Sequence, residues 1–451
     1  MFLTATVVFF LGAWEACFRL GLTDPYLYSA PSVIVGLLVN FSYLRTVIVF
    51  LFQVLLLASL GGVVGTLFGV FISRNQFLTR ETISFAKTAV WVPFLLPWAL
   101  PVWPVRPDAL AVTILPIWFI GIVGVGLRVC LLYLIKHGLL NLPWRAIRLQ
   151  LIRESLLQAA FISLISQVWM RPYGWNWFLH TPNHGAATGF AALLLLGLLQ
   201  SLIYYIAPLK PDEDEQQSLH GTARLASSSG LVLWLLVLLV WQLLGLTKLA
   251  RFISIPPLVF SEAYDLLRGA SVGIPTDNTL WGHLMFSLFE LLCGLTVATP
   301  VALLLRKGIE GSRRLKSVIE ATITRGPLVV MVIPVFFVYW TPRVAVPLVA
   351  ILGALFMALG PMTKGLRGGS GNSKSFTIVF AMRKALPFAF VGVLFGESIA
   401  GVRGIGFLMM TTLNYALPIE VPVGIFVVCI LCFLVISFSL RFVPSVRESE
   451  G

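Results

Sequence analysis

The stretch GLRGGSGNSKSFTIVFAMRKALPFAFVGVLFGESIAGVRGIGFLMM, from Gly365 to Met410, decides the fold. It opens with a polar, glycine-rich, basic segment that carries Arg367, Lys374, Arg383 and Lys384. Ala385-Leu386-Pro387 then leads into an apolar run with a single acid, Glu397, closed by the glycine turn Gly401-Val402-Arg403-Gly404-Ile405-Gly406. Lipid offers the backbone no hydrogen-bond partners, so an apolar run of this kind must be helical. From Pro387 to Ala400 it is about 14 residues, roughly 21 Å at 1.5 Å per residue. A hydrocarbon core is about 30 Å thick. Either the helix starts before Pro387, near Phe376, or it stops short inside the protein.

The rest of the chain has the same character. Of 451 residues, 58% are hydrophobic and 11% charged, where a soluble domain carries about a quarter charged residues. Apolar runs of about 20 residues recur, each long enough to cross a bilayer as a helix. The alternation of a β-barrel in segments of about ten residues is absent. The composition predicts an all-α polytopic membrane protein. The net charge of +13 reads as basic residues gathered on one side of a membrane rather than as a nucleic-acid surface.

In the first part of the chain, spans are expected at about 1–20, 45–73, 82–103, 110–135, 154–170 and 187–209. The first run lacks the basic start of a secretion signal and reads as a spanning helix. In the following TDPYLYSAPS, Pro25 and Pro31 read as breakers. Gly61, Gly62 and Gly65 are small residues that let a neighbouring helix come close. Pro93, Pro97 and Pro101 mean kinks in the third span. A basic segment over 136–153 contains Leu142-Pro143-Trp144-Arg145 and Arg148. Residues 210–228, with the acidic run Asp212 to Glu215, read as a solvated linker.

After the linker the pattern restarts. Trp14-Glu15 through Ser29-Ala30-Pro31 is matched by Trp241-Gln242 through Ile255-Pro256-Pro257. Spans follow at about 231–246, 280–305, 318–340, 345–362, 386–400 and 421–442. This gives about 12 transmembrane helices as a parallel tandem repeat: a first unit over 1–209, a cytoplasmic linker over 210–228 and a second unit over 229–451. With both termini inside, nine of the 32 Lys and Arg residues fall in outer loops, as the positive-inside rule requires.

No catalytic constellation is visible. A P-loop needs G-x-x-x-x-G-K-[ST] to cradle phosphates, and nothing fits. Cys429-x-x-Cys432 has zinc-ligand spacing but no second pair, and His180-x-x-x-His184 has no third ligand nearby, so neither metal nor cofactor is expected. The five cysteines lie in apolar runs, where a disulfide framework is not expected. Acids inside a membrane are costly and point to function by default. Glu290 and Glu397 are the candidates, with Glu15 and Glu320 nearer helix ends. Glu397 reads either as a polar group on a pathway, with Ser398 beside it, or as a buried helix-pairing contact; Glu290 leans to the second.

The order of a basic segment, Leu-Pro, a membrane helix, an acid and a Gly-x-Gly turn resembles the core of ABC-importer permeases, the inner-membrane components of binding-protein-dependent transport systems. The nitrate/sulfonate/taurine-type branch is the nearest in pattern. There a coupling helix ends in Leu-Pro, and Ala-Glu-Met and Gly-Leu-Gly-Tyr-Leu follow. The counterparts are Gly396-Glu397-Ser398 and Gly404-Ile405-Gly406-Phe407-Leu408. The resemblance implies two permease copies fused in one chain of a bacterial cytoplasmic (inner) membrane, a pair of cytoplasmic ATP-binding-cassette subunits, an extracytoplasmic substrate-binding protein and a small anionic solute. It implies ATPase coupling through 141–152 (Trp144, Arg145, Arg148) and 373–386 (Lys374, Arg383, Lys384), and a translocation path past Glu397, Ser398 and Glu290. The Glu-Ala-Ala that usually opens the coupling helix is missing from both copies; Arg367-Gly368-Gly369-Ser370-Gly371-Asn372 stands there in the second. That departure favours an alternative, a permease-derived scaffold subunit that does not transport. A stand-alone secondary transporter ranks after both.

Overall fold

The computed structural model of the chain describes residues 2–22, 30–89, 110–139, 142–169, 185–206, 231–247, 254–269, 280–311, 346–368, 374–414 and 420–439. Among these residues there is no strand. The helices are α1 (Phe2–Arg19), α2 (Pro31–Val39), α3 (Phe41–Ser73), α4 (Gln76–Ala89), α5 (Leu110–Tyr133, continued by a π turn to Leu139), α6 (Trp144–Trp169) and α7 (Gly185–Ile206). They continue as α8 (Leu231–Gly245), α9 (Pro256–Arg268), α10 (Leu280–Gly311), α11 (Val346–Gly368), α12 (Lys374–Ala400), α13 (Ile405–Asn414) and α14 (Glu420–Ser439). The expected span over 318–340, most of that over 82–103, the linker over 210–228 and the histidines at 180 and 184 lie outside the described residues.

Three of these helices are long and apolar enough to cross a membrane, within Tyr43–Ser73, Leu280–Gly311 and Thr377–Ser398. Helix α3 shows how such a helix is used. Tyr43, Val47, Phe50, Val54 and Leu57 are buried on one side, while Ile48, Phe52, Leu55, Val63 and Leu67 are exposed on the other. Both sides are apolar, as suits a helix that faces protein on one stripe and hydrocarbon on the other.

Lipid tails are as apolar as leucine, so burial alone cannot hold such helices together; close backbone contact between small residues does. A Cβ added at Gly65 on α3 would overlap the backbone of Gly126 on α5. Likewise, Gly353 on α11 and Gly392 on α12 sit against each other's carbonyl groups, with no room for a Cβ on either. Around these contacts α3, α5 and α6 pack as a mutual trio, and so do α10, α11 and α12. Helix α2 packs on α7, and α9 packs on α14.

Three short helices, α2, α9 and α13, went unseen in the sequence, and the first two begin in the same way. Pro31 does not break the chain: it occupies the first turn of α2, as Pro256 and Pro257 do in α9. Proline's missing N–H costs nothing there, because the first-turn amides have no intrahelical acceptor anyway. Each short helix is tied back to the helix before it. Glu15 on α1 accepts from the Ser32 amide (3.0 Å) and hydroxyl (2.8 Å) at the start of α2, and from Arg19 Nε (3.0 Å). At the start of α9, Trp241 Nε1 on α8 donates to the Ser254 carbonyl (2.8 Å), and Ser254 Oγ donates to Glu420 (2.8 Å).

The length of the acid-bearing helix is resolved. Helix α12 starts at Lys374 and runs unbroken through Pro387 for 27 residues, about 40 Å at 1.5 Å per residue. The first of the two alternatives holds. Helix α6 likewise starts at Trp144, ten residues before the expected Glu154, so the basic segment forms its first turns. Arg128 on α5 bonds Glu154 on α6 at 3.1 Å and supports that start.

Gly353→Leu should separate α11 from α12 and destabilise the protein by about 1–3 kcal/mol, the usual cost of overpacking. A lowered midpoint in thermal unfolding of the detergent-purified chain is the expected result, and an unchanged midpoint would contradict the contact.

Candidate functional site

The buried polar centre of the second half is assembled from three helices. On α10, His283, Ser287 and Glu290 recur at intervals of four and three, which places them on one face of the helix. All three are buried. Glu397 comes from the last turn of α12, and its residue exposure is 1%. Opposite both lies the start of α13, where Gly404 takes φ +102°, a conformation that side chains disfavour. A Cβ at Gly404 would also overlap the Glu397 carboxyl group.

The first amides of any helix lack intrahelical acceptors. At α13 three successive amides find side chains from other helices. Gly404 N–H donates to His283 Nδ1 (3.1 Å), Ile405 N–H to Ser287 Oγ (2.8 Å) and Gly406 N–H to Glu397 Oε2 (2.6 Å). Ser287 Oγ in turn donates to the other oxygen, Glu397 Oε1, at 2.5 Å. A carboxylate at a helix N-terminus is also favoured by the helix dipole. Because His283 Nδ1 accepts, its proton sits on Nε2, an atom without a partner among the described residues. The ring lies parallel to Phe407 with centroids 6.2 Å apart. The Glu290 carboxyl group lies close to that of Glu397, and its Oε2 has no partner among the described residues.

Glu290 and Glu397 thus meet, while Ser398 points back along its own helix and donates to the Leu394 carbonyl (2.7 Å). His283 and Ser287 were missed in the sequence. Their spacing to Glu290 on an apolar run was the available signal, but it gains meaning only once the glycine turn is brought opposite.

The basic residues form a separate set. Trp144, Arg145 and Arg148 are exposed at the start of α6, with Trp144 at 49%. Arg383 is exposed on α12, and Lys384 is half-buried with its ammonium over the Phe380 ring at 4.9 Å. Lys374 opens α12. The Leu-Pro pairs beside the two basic segments occupy different places: Leu142-Pro143 precedes a helix, whereas Leu386-Pro387 lies inside one.

Comparison of the chain with protein-family models, with curated proteins and with solved structures finds no match. The class that composition and fold define is an α-helical membrane protein.

Ser287→Ala should strand the Ile405 amide and remove one donor from Glu397, a loss of about 1–3 kcal/mol. Gly404→Ala should cost at least as much, since it adds both a strained φ and an overlap. Thermal unfolding of both variants checks this; wild-type midpoints would show that α13 is held by other contacts.

Proposed function

We propose that this chain is the membrane-spanning permease subunit of an ABC importer for a small anionic solute, with two six-helix permease units, about twelve spans in all, fused in tandem. It works in a bacterial inner membrane with both termini in the cytoplasm, together with a pair of separate ATPase subunits and an extracytoplasmic binding protein. The observation that supports this reading most is a recurrence. The trio α3–α5–α6 with the pair α2–α7, and the trio α10–α11–α12 with the pair α9–α14, follow one another in the same chain order. Two copies of one unit are what an importer needs to form a path between its halves.

The basic ends of α6 and α12 are the proposed docking points for the ATPases. Trp144, Arg145 and Arg148, and on α12 Lys374, Arg383 and Lys384, give those ends positive charge that an acidic groove would attract. In α12 the coupling is direct. Arg383 and Glu397 are 14 positions apart on one uninterrupted helix, about 21 Å along its axis. A displacement imposed at Arg383 therefore reaches the Glu290–Glu397–Ser398 region without crossing a hinge loop.

One observation favours a second reading, a permease-derived scaffold subunit. Leu386-Pro387 stands in the middle of α12, so this Leu-Pro does not end a free-standing coupling helix.

Purification of the tagged chain in mild detergent should recover a P-loop ATPase as a pair with each chain, and the double reversal Arg383→Glu, Lys384→Glu should lower its recovery. Recovery of other membrane subunits with no ATPase would replace the importer by the scaffold.

A further inference from the structure

The geometry points to a site for one small cation, a proton or a monovalent metal ion, shared by the Glu290 and Glu397 carboxyl groups. These groups lie close to each other, Glu290 standing one turn from the Ser287 that bonds Glu397, and both residues are 1% exposed. Two bare carboxylates at that separation repel strongly, the more so away from water. Neither has an ion pair with Lys or Arg among the described residues.

The other groups around the pair do not supply the missing charge. On α10 there are His283, already tied to the Gly404 amide, and Cys293. The glycine turn brings Arg403, which is exposed and whose field falls on His283. Helix α14 brings Cys429 and Cys432. Helix α11 meets this region through Val349 and Ala350, against Gly396.

The hydrogen bonds say where the cation sits. Glu397 accepts from Ser287 at one oxygen and from Gly406 at the other, so its part is that of the charged acceptor. Glu290 supplies the bridge to it. As an acid, Glu290 donates its O–H to Glu397 and is left with the one unpartnered oxygen observed, Oε2. As a carboxylate, Glu290 would turn that same free oxygen, with Ser287 Oγ and Glu397, toward a metal ion. A second buried negative charge with no counter-charge is the costly case, and a shared cation avoids it. The ion also completes the support of α13, since Glu397 holds that helix by the Gly406 amide. This site does not depend on the transport reading, and its test needs no ATPase.

The experiment uses the full chain, purified in detergent with carbon-13-labelled glutamate. Infrared spectra are taken in H2O and D2O, and thermal midpoints in choline, sodium and potassium buffers at equal ionic strength. A shared proton gives a protonated-carboxyl stretch that shifts in D2O, loses its label in Glu290→Asp and vanishes in Glu290→Gln. Glu290→Gln should still melt at the wild-type temperature, because its amide N–H replaces the donated bond. A bound metal ion gives no such stretch. The wild-type midpoint then rises in sodium or potassium over choline, and Glu290→Gln abolishes the rise. No stretch attributable to Glu290, together with equal midpoints in the three salts, would overturn the proposal; the labelled Glu290→Asp chain decides the matter even where Glu290→Gln does not fold.

Discussion

The start of a helix presents amides that nothing within the helix can satisfy, and in hydrocarbon no water is at hand to do so. At α13 that deficit is met by His283, Ser287 and Glu397, and much of the second half follows from it. The carboxyl group must come from a helix that passes close by, so α12 has to extend to Ala400 before the chain turns back. The turn must bring its amides against a side chain with no room for a Cβ, so Gly404 is fixed in both φ and size. Two polar side chains must face inward from α10 at matching heights, which sets the rotation of that helix about its axis. Its opposite side, with Met285, Phe289 and Leu292, is left exposed and apolar.

The tight glycine contacts serve the same end. Gly353 and Gly392 bring α11 and α12 to backbone contact, and Gly396 lies against Ala350 one turn further on. The last turns of α12 are thereby held while they carry a buried acid, which on a loosely packed helix would swing toward water. Packing and polar satisfaction are not separate contributions in this region: the seam sets where Glu397 is, and Glu397 sets where α13 begins.

Much of this was legible in the sequence. The helical membrane class followed from composition, and the apolar runs at 2–19, 231–245 and 280–311 needed little adjustment. The acids at 290 and 397 stood out because charge inside such runs is rare. What was not legible has a common cause. Apolar periodicity marks what lies in lipid, so it missed the segments whose helices are set by caps and by neighbours. Pro31 reads as a breaker although it begins a helix, as Pro256 does. The polar first turns of α6 and α12 read as basic segments set apart from the spans that follow, although each belongs to one continuous helix. His283 and Ser287 are ordinary residues until the glycine turn, more than a hundred positions away, is placed across from them.

The two trios are alike in arrangement but not in chemistry. Helix α3, which holds in the first trio the place of α10 in the second, has no Asp or Glu over its whole length. In an assembly of two identical chains every buried acid occurs twice, because symmetry repeats each residue. Two trios on one chain are free of that constraint: a buried pair of acids can stand in one trio without a counterpart in the other. Among the described residues, two buried acids on facing helices are found in the second trio alone, so an event that depends on that pair is one-sided.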